Sequence, residues 1–274
     1  MKDTTNFTRN GRYVMLAFDH RGSFVKMMRP DNPDSVTNEE AIQMKARIIA
    51  PLANYCSGIL IDAVYGLPAL RKAVPSGNVP FLLPMEETGY EGGKENRKSQ
   101  LQYSAREIKE MGAQGAKLLL YFNATADAAK HQIRITRQAL EEANEQELPF
   151  FLEIVTYGEG ENSASAVLRA IQMLKENGVD PAVWKLEFPS DAHGCRRVSE
   201  LTQGTPWILL TRGVLFDVFK EQLQVAATEG CRGFLAGRGL WQEALELTGG
   251  EQEKFLKEIM PQRFAELSQI MLQK

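Results

Sequence analysis

Apolar runs of about five to seven residues alternate with longer amphipathic stretches, roughly eight times along the chain. The runs are RYVMLAFD (12–19), SGILIDA (57–63), VPFLLP (79–84), GAKLLLYF (115–122), LPFFLEIV (148–155), AVWKLEF (182–188), TPWILLT (205–211) and GCRGFLAG (230–237). Short runs of this kind predict strands buried on both faces, and the stretches between them repeat apolar positions at helical spacing. From Leu215, for example, apolar residues recur at Val218, Phe219, Leu223 and Ala226, and Gly230 closes the element. The final stretch, about 251–272, carries Phe255, Leu256, Ile259, Met260, Phe264, Leu267 and Met271, with a kink expected at Pro261. Strands separated by helices pair in parallel, because parallel neighbours need a long crossover. Eight such units in 274 residues predict an α/β fold, a single-domain (β/α)8 TIM barrel with an extra C-terminal helix. An open doubly wound sheet is the alternative, but no GxGxxG follows the first run. The C-terminal helix can seal the barrel or meet a second copy, which leaves a homo-oligomer open.

Charges interrupt these runs, and a packed barrel interior tolerates charge only for a reason. Asp19 ends the first run and Asp62 the second; Lys117 lies in the fourth, Glu153 in the fifth, Lys185 and Glu187 in the sixth. One such pair reads as a structural ion pair. A constellation on three consecutive strands points instead to a site. Two lysines in one dry cavity disfavour each other's charge, and burial disfavours both, so one is expected to be neutral near neutral pH. A neutral amine adds to carbonyl carbon and forms a Schiff base, with Glu153 available to shuttle protons.

The last two runs end in LLTRGV (209–214) and LAGRGLW (235–241), where such barrels hold phosphate. Gly213 and Gly237 offer backbone amides, Thr211 a hydroxyl, and Arg238 and Arg212 positive charge. After the first run, FDHRGSF (18–24) sets His20 and Arg21 beside Asp19, with the arginine a candidate clamp for a second anionic group. The polar, Gly-rich segment MEETGYEGGKENRKSQ (85–100) leaves the C-terminal end of the third strand, the active-site end of a barrel.

Composition narrows the partners. A net charge of −3 gives no global attraction to nucleic acid or to anionic membranes, so neither is an expected partner. Cys56, Cys195 and Cys231 are odd in number and far apart, which fits a reducing interior rather than a disulfide framework. MKDTTNFTRN lacks the apolar core of a signal peptide, and no run reaches the length of a membrane span, so a cytoplasmic protein is expected. His20, His131 and His193 are widely spaced, with no HExxH or CxxC, and neither a metal nor a cofactor is expected. His131, in a polar helical stretch, reads as a solvated surface residue.

Taken together, FDHRGSF, LIDAVYGLPAL, EETGYEGG, GAKLLLYFN, FFLEIVTY, VWKLEFP, LLTRGV and GFLAGRGLW resemble the class I tagatose-1,6-bisphosphate aldolase family, a group that includes sulfofructose-phosphate aldolases. The matches run in order from about residue 14 to 245. The resemblance implies a metal-independent barrel lyase acting on a small phosphorylated sugar, with Lys185 as the Schiff-base lysine. It also implies Glu153 as the proton-transfer carboxylate and Lys117 as its assistant. By the same resemblance Asp19, His20 and Arg21 lie at the substrate, and Thr211, Gly213, Gly237 and Arg238 take the phosphate of a dihydroxyacetone-phosphate half. Arg97 matches a family arginine and is expected at the distal anion. Two residues depart from the family: His20 replaces a glutamine, and Arg212 a small residue. Asp62 and Glu187 are further substrate-binding candidates, with Glu187 equally able to hold a neighbouring cation. The same lysine also suits a transaldolase or a 2-deoxy-5-ketogluconate-6-phosphate aldolase, and the barrel alone suits a non-catalytic sugar-phosphate sensor.

Overall fold

The computed structural model describes residues 3–158 and 164–273. Its strands are β1 (Tyr13–Phe18), β2 (Gly58–Ile61), β3 (Phe81–Pro84), β4 (Gly115–Phe122), β5 (Phe150–Thr156), β6 (Val183–Leu186), β7 (Trp207–Leu210) and β8 (Gly233–Ala236). Each pairs in parallel with its neighbour in the chain, and β8 closes on β1 with Met15 opposite Leu235. The fold is a TIM barrel. Every observed strand lies inside its apolar run or within a residue of it, because a run buried on both faces is apolar at every position.

Side chains alternate across the sheet, so two cores form. Met15, Ala17, Leu60, Leu82, Phe151, Val183, Ile208 and Leu235 fill the barrel itself. Phe7 and Tyr13 close its lower end, their rings edge-on to Phe151 at 5.4 and 6.2 Å. A β-carbon on Gly58 or Gly115 would come within 2.7 or 3.3 Å of the Phe7 ring, so the absence of side chains there admits the plug. The alternate positions, among them Val14, Leu16, Phe18, Ile59, Ile61, Trp184 and Leu186, pack outward against the helices.

The helices are α1 (Gly22–Met28), α2 (Asn38–Ile49), α3 (Gly66–Ala73), α4 (Ala105–Glu110), α5 (Ala129–Glu145), α6 (Ala164–Glu176), α7 (Ala192–Thr202), α8 (Phe216–Thr228) and α9 (Arg238–Trp241). Capping boxes start α2 (Thr37 with Glu40) and α4 (Ser104 with Glu107), and Asp191 caps α7. The chain ends in α10 (Gly249–Lys254), a π-helical turn at Phe255–Ile259, and α11 (Met260–Leu272). The π-helical turn lies just before Pro261, where the sequence placed a kink. Proline has no N–H to donate and its ring crowds the carbonyl four residues back, while the wider turn bonds Met260 N–H to Phe255 O instead. Among the described residues, no helix is long and apolar enough to cross a membrane.

One sequence expectation fails here. His131 is half-buried, its Nε2 2.9 Å from Ser99 O, and Gln132 beside it bonds Ser99 N–H and Tyr121 O. A polar stretch looks solvated from sequence, but the partners of these side chains are the backbone of the loop at 85–100 and of β4.

Candidate active site

The C-terminal ends of the strands open into a cavity of about 430 Å³ lined by Asp19, Glu86, Lys117, Glu153 and Lys185, among others. Lys185 stands opposite Glu153 in the strand register, with its Nζ 2.7 Å from Glu153 Oε2. Lys117 stands opposite Phe151, one inward position lower, and its long side chain climbs until Nζ lies 3.1 Å from the same oxygen. Lys117 also donates to Asp19 Oδ2 at 2.7 Å and to Glu86 Oε1, while Glu86 Oε2 accepts the Leu119 N–H at 3.0 Å. Two lysines therefore face three carboxyl groups in a largely desolvated space.

That ratio decides the protonation pattern. Burial opposes charge on Lys117, but Asp19, Glu153 and Glu86 together raise it well above the ordinary lysine value. Lys117 is therefore the charged member of the site, because three carboxyl groups surround its ammonium. Burial also resists ionisation of Asp19 and Glu153, yet Lys117 and Lys185 hold both below the usual carboxylate range. Glu86 goes the other way: burial raises it more than Lys117 lowers it. His20 is pushed down to about 4, first by burial and then by Arg238, Lys45 and Lys185, against the pull of Asp19. Its imidazole is neutral near pH 7. It packs edge-on to Trp241 at 5.2 Å, and its buried Nδ1 has no hydrogen-bond partner among the described residues.

At the ends of β7 and β8, Thr211, Gly213, Gly237 and Arg238 converge on one side of the cavity. A β-carbon on Gly213 would lie 3.2 Å from the Arg238 guanidinium, and one on Gly237 3.4 Å from Thr211 Oγ1. Gly213 has φ +81°, a conformation that glycine adopts without strain. Across the mouth, Arg97 sits among three tyrosine rings, 4.6 Å from Tyr157, 4.9 Å from Tyr90 and 5.5 Å from Tyr121. Arg21 also lines the cavity, but it donates to Gln102 Oε1 and, at 3.0 Å, to Glu86 O, so it braces the loop after β3.

Two candidates fall outside the cavity. Glu187 is buried, accepts the Thr156 N–H and Oγ1–H at 2.9 and 2.8 Å, and pairs with Arg212, so of its two expected roles the structure displays the cation-holding one. Arg212 itself lines the cavity with a left-handed φ of 47°, a conformation costing a side-chain-bearing residue about 1–2 kcal/mol. Asp62 is fully buried and does not line the cavity. Its Oδ1 accepts the Val64 and Tyr65 N–H groups, and its Oδ2 accepts Gly66 N–H and Lys45 Nζ. An aspartate at a strand end looks the same in sequence whether it faces the cavity or caps the next turn.

Sequence reading missed Glu86, Tyr121 and Lys45. Glu86 follows the third strand by two residues, and that position at a barrel's active end was the available signal. Lys45 breaks the apolar stripe Ala41, Met44, Ile48 of α2, a signal of a buried partner.

A family model described as DeoC/LacD family aldolase matches residues 13–243. A tagatose 1,6-diphosphate aldolase from Staphylococcus epidermidis is 28% identical over 287 residues, covering 91% of this chain and 87% of its own. One from Lactococcus lactis is 28% identical over 284 residues, covering 91% and 86%. Among solved structures, an archaeal fructose-1,6-bisphosphate aldolase, with its catalytic lysine covalently bound to the carbinolamine intermediate, superposes with a TM-score of 0.67 at 18% identity over 97% of this chain and 96% of its own. The fructose-bisphosphate aldolase of Plasmodium falciparum gives 0.71 at 15% identity, over 97% and 92%.

Proposed function

The chain belongs to the DeoC/LacD family of aldolases, and we propose that it cleaves a phosphorylated ketose by Schiff-base retro-aldol chemistry. The observation that supports this best is the placement of Glu153 Oε2 within 2.7 Å of Lys185 Nζ and 3.1 Å of Lys117 Nζ. Lys185 supplies the amine that attacks the ketone carbon. Lys117 stays cationic and keeps Glu153 ionised, so Glu153 starts the cycle as a base. The carbinolamine loses water, and the resulting iminium draws electrons from the neighbouring carbon–carbon bond. Glu153 takes the proton from the hydroxyl beyond that bond, directly or through water, as the aldehyde leaves. It then returns a proton to the enamine carbon, and water releases the three-carbon ketone phosphate and the free lysine.

Thr211, Gly213, Gly237 and Arg238 are assigned to the phosphate nearest the iminium. Arg97 is assigned to the distal anion, with Arg21 at the edge of that region. Dihydroxyacetone phosphate with borohydride should add a stable mass to the peptide carrying Lys185. A mass on another lysine, or none, would remove this mechanism.

A further inference from the structure

The Lys45–Asp62 pair lies behind the cavity wall and takes no part in the chemistry above. Both residues are fully buried. Lys45 Nζ has three protons and three acceptors: Phe18 O at 2.8 Å, His20 O at 2.7 Å and Asp62 Oδ2 at 2.6 Å. The two carbonyls flank Asp19, so one ammonium holds the backbone on both sides of the carboxylate that binds Lys117. Nζ also lies 4.5 and 5.1 Å from the centroids of the Phe18 and Phe24 rings. Asp62 anchors the cation to the start of α3 through Gly66 N–H, so α2, the end of β1 and the turn after β2 meet at one atom.

A plain core would bury this volume with apolar side chains at no desolvation penalty. Two backbone carbonyls aimed at one point are a costlier arrangement, and what it secures is the path of residues 18–20. From that path the links run Asp19 to Lys117, Lys117 to Glu153 and Glu153 to Lys185.

We propose that Lys45 is a positioning residue: it clamps the Phe18 and His20 carbonyls so that Asp19 holds the Lys117–Glu153–Lys185 chain in register for reaction at Lys185. The inference builds on the proposed function, but its test does not need the substrate. Pyridoxal 5′-phosphate with borohydride forms an imine with an amine, losing water, and hydride then fixes it as a secondary amine. Its rate of attachment to Lys185, read by peptide mass against pH, reports that amine's surroundings in any folded variant. The charged groups facing Asp19 are Lys117 from β4, Lys185 from β6 and His20, with Glu153 and Glu86 beyond Lys117. Those facing Lys45 are Asp62, Asp19 and Arg21.

Asp62→Asn lowers stability but leaves Lys45 on both carbonyls, so trapping at Lys185 should keep the wild-type rate and pH profile. Lys45→Met with Asp62→Asn removes the clamp without leaving a buried charge unpaired. In that double variant trapping should slow by about tenfold to a hundredfold, the scale of an ångström-sized misplacement, and its pH profile should move. A folded double variant with the wild-type rate and profile overturns the proposal. If the double variant does not fold, Lys45→Arg serves, since a planar guanidinium cannot meet the three acceptors as the ammonium does. It should shift the profile in the same direction, and a wild-type profile there overturns the proposal too. Unfolding of both would assign the pair to stability alone and also overturn it. Failure to cleave any sugar phosphate sinks the proposed function and leaves this readout standing.

Discussion

Replacing Lys117 by methionine keeps most of the side chain's apolar volume and removes one charge. That charge lies 2.7 Å from Asp19 and 3.1 Å from Glu153. At about 3 Å and an effective permittivity of about 20, each attraction is worth roughly 5 kcal/mol before desolvation is subtracted. Without it, Lys185 alone faces three carboxylates, and burial, the largest influence on Asp19, Glu153 and Glu86, is left to dominate. The carboxyls can relieve the strain by binding protons, so the loss at neutral pH should be about 3–5 kcal/mol, the usual cost of breaking a buried pair. The sign with pH follows from the two states. In the wild type Asp19 and Glu153 lie below their unfolded values, so their stabilising contribution is full above the ordinary carboxylate range and is lost as pH falls from there through their lowered values. In Lys117→Met they rise above those values, and stability is instead lost as pH climbs from the unfolded value toward the raised one. Urea melts of both proteins should therefore show a deficit that grows as pH rises from about 4–5 toward 8. A deficit that stays flat, or shrinks, across that window refutes the assigned charge pattern.

Glu153→Gln should leave the fold intact but slow borohydride trapping and turnover by about 100-fold or more, the scale of general acid–base catalysis; steady-state kinetics at wild-type rates would remove Glu153 as the proton carrier. Arg238→Ala should raise KM for a phosphorylated substrate by about tenfold to a hundredfold, the value of a charge-assisted hydrogen bond of roughly 1.5–3 kcal/mol. Equal losses for phosphorylated and unphosphorylated ketones would contradict a phosphate role. Phe151→Ala, in the barrel plug, should cost about 3–5 kcal/mol by chemical denaturation; a loss under 1 kcal/mol would mean that the lower barrel collapses around the gap.

Lys185 and Glu187 show how far the one-dimensional pattern reaches. Two residues apart, they read from sequence as one side of one strand, but β6 ends at Leu186, and Glu187 lies just past it, outside the cavity that Lys185 lines. They never pair: Lys185 meets Glu153 on β5, and Glu187 meets Arg212 beyond β7. Strand period says which face a charge occupies but not which charge stands opposite, because that depends on register and on the closure of β8 against β1. The same holds for Asp62. Its position at a strand end was legible, whereas its partner Lys45, on a helix 17 residues away, was visible only as an oddity in an apolar stripe.

The sequence by itself determined the barrel, since eight doubly buried runs joined by amphipathic helices leave few other ways to hide so much apolar surface. It also marked Lys117, Glu153 and Lys185, because charge inside such runs is too costly to be incidental. Only the tertiary structure decided the balance of that charge. It brought Glu86 from the loop after β3 to Lys117 and turned Asp62 away from the cavity. A carboxylate's distance from an ammonium, and the water removed around both, sets its protonation, and neither quantity is defined until the chain has closed on itself.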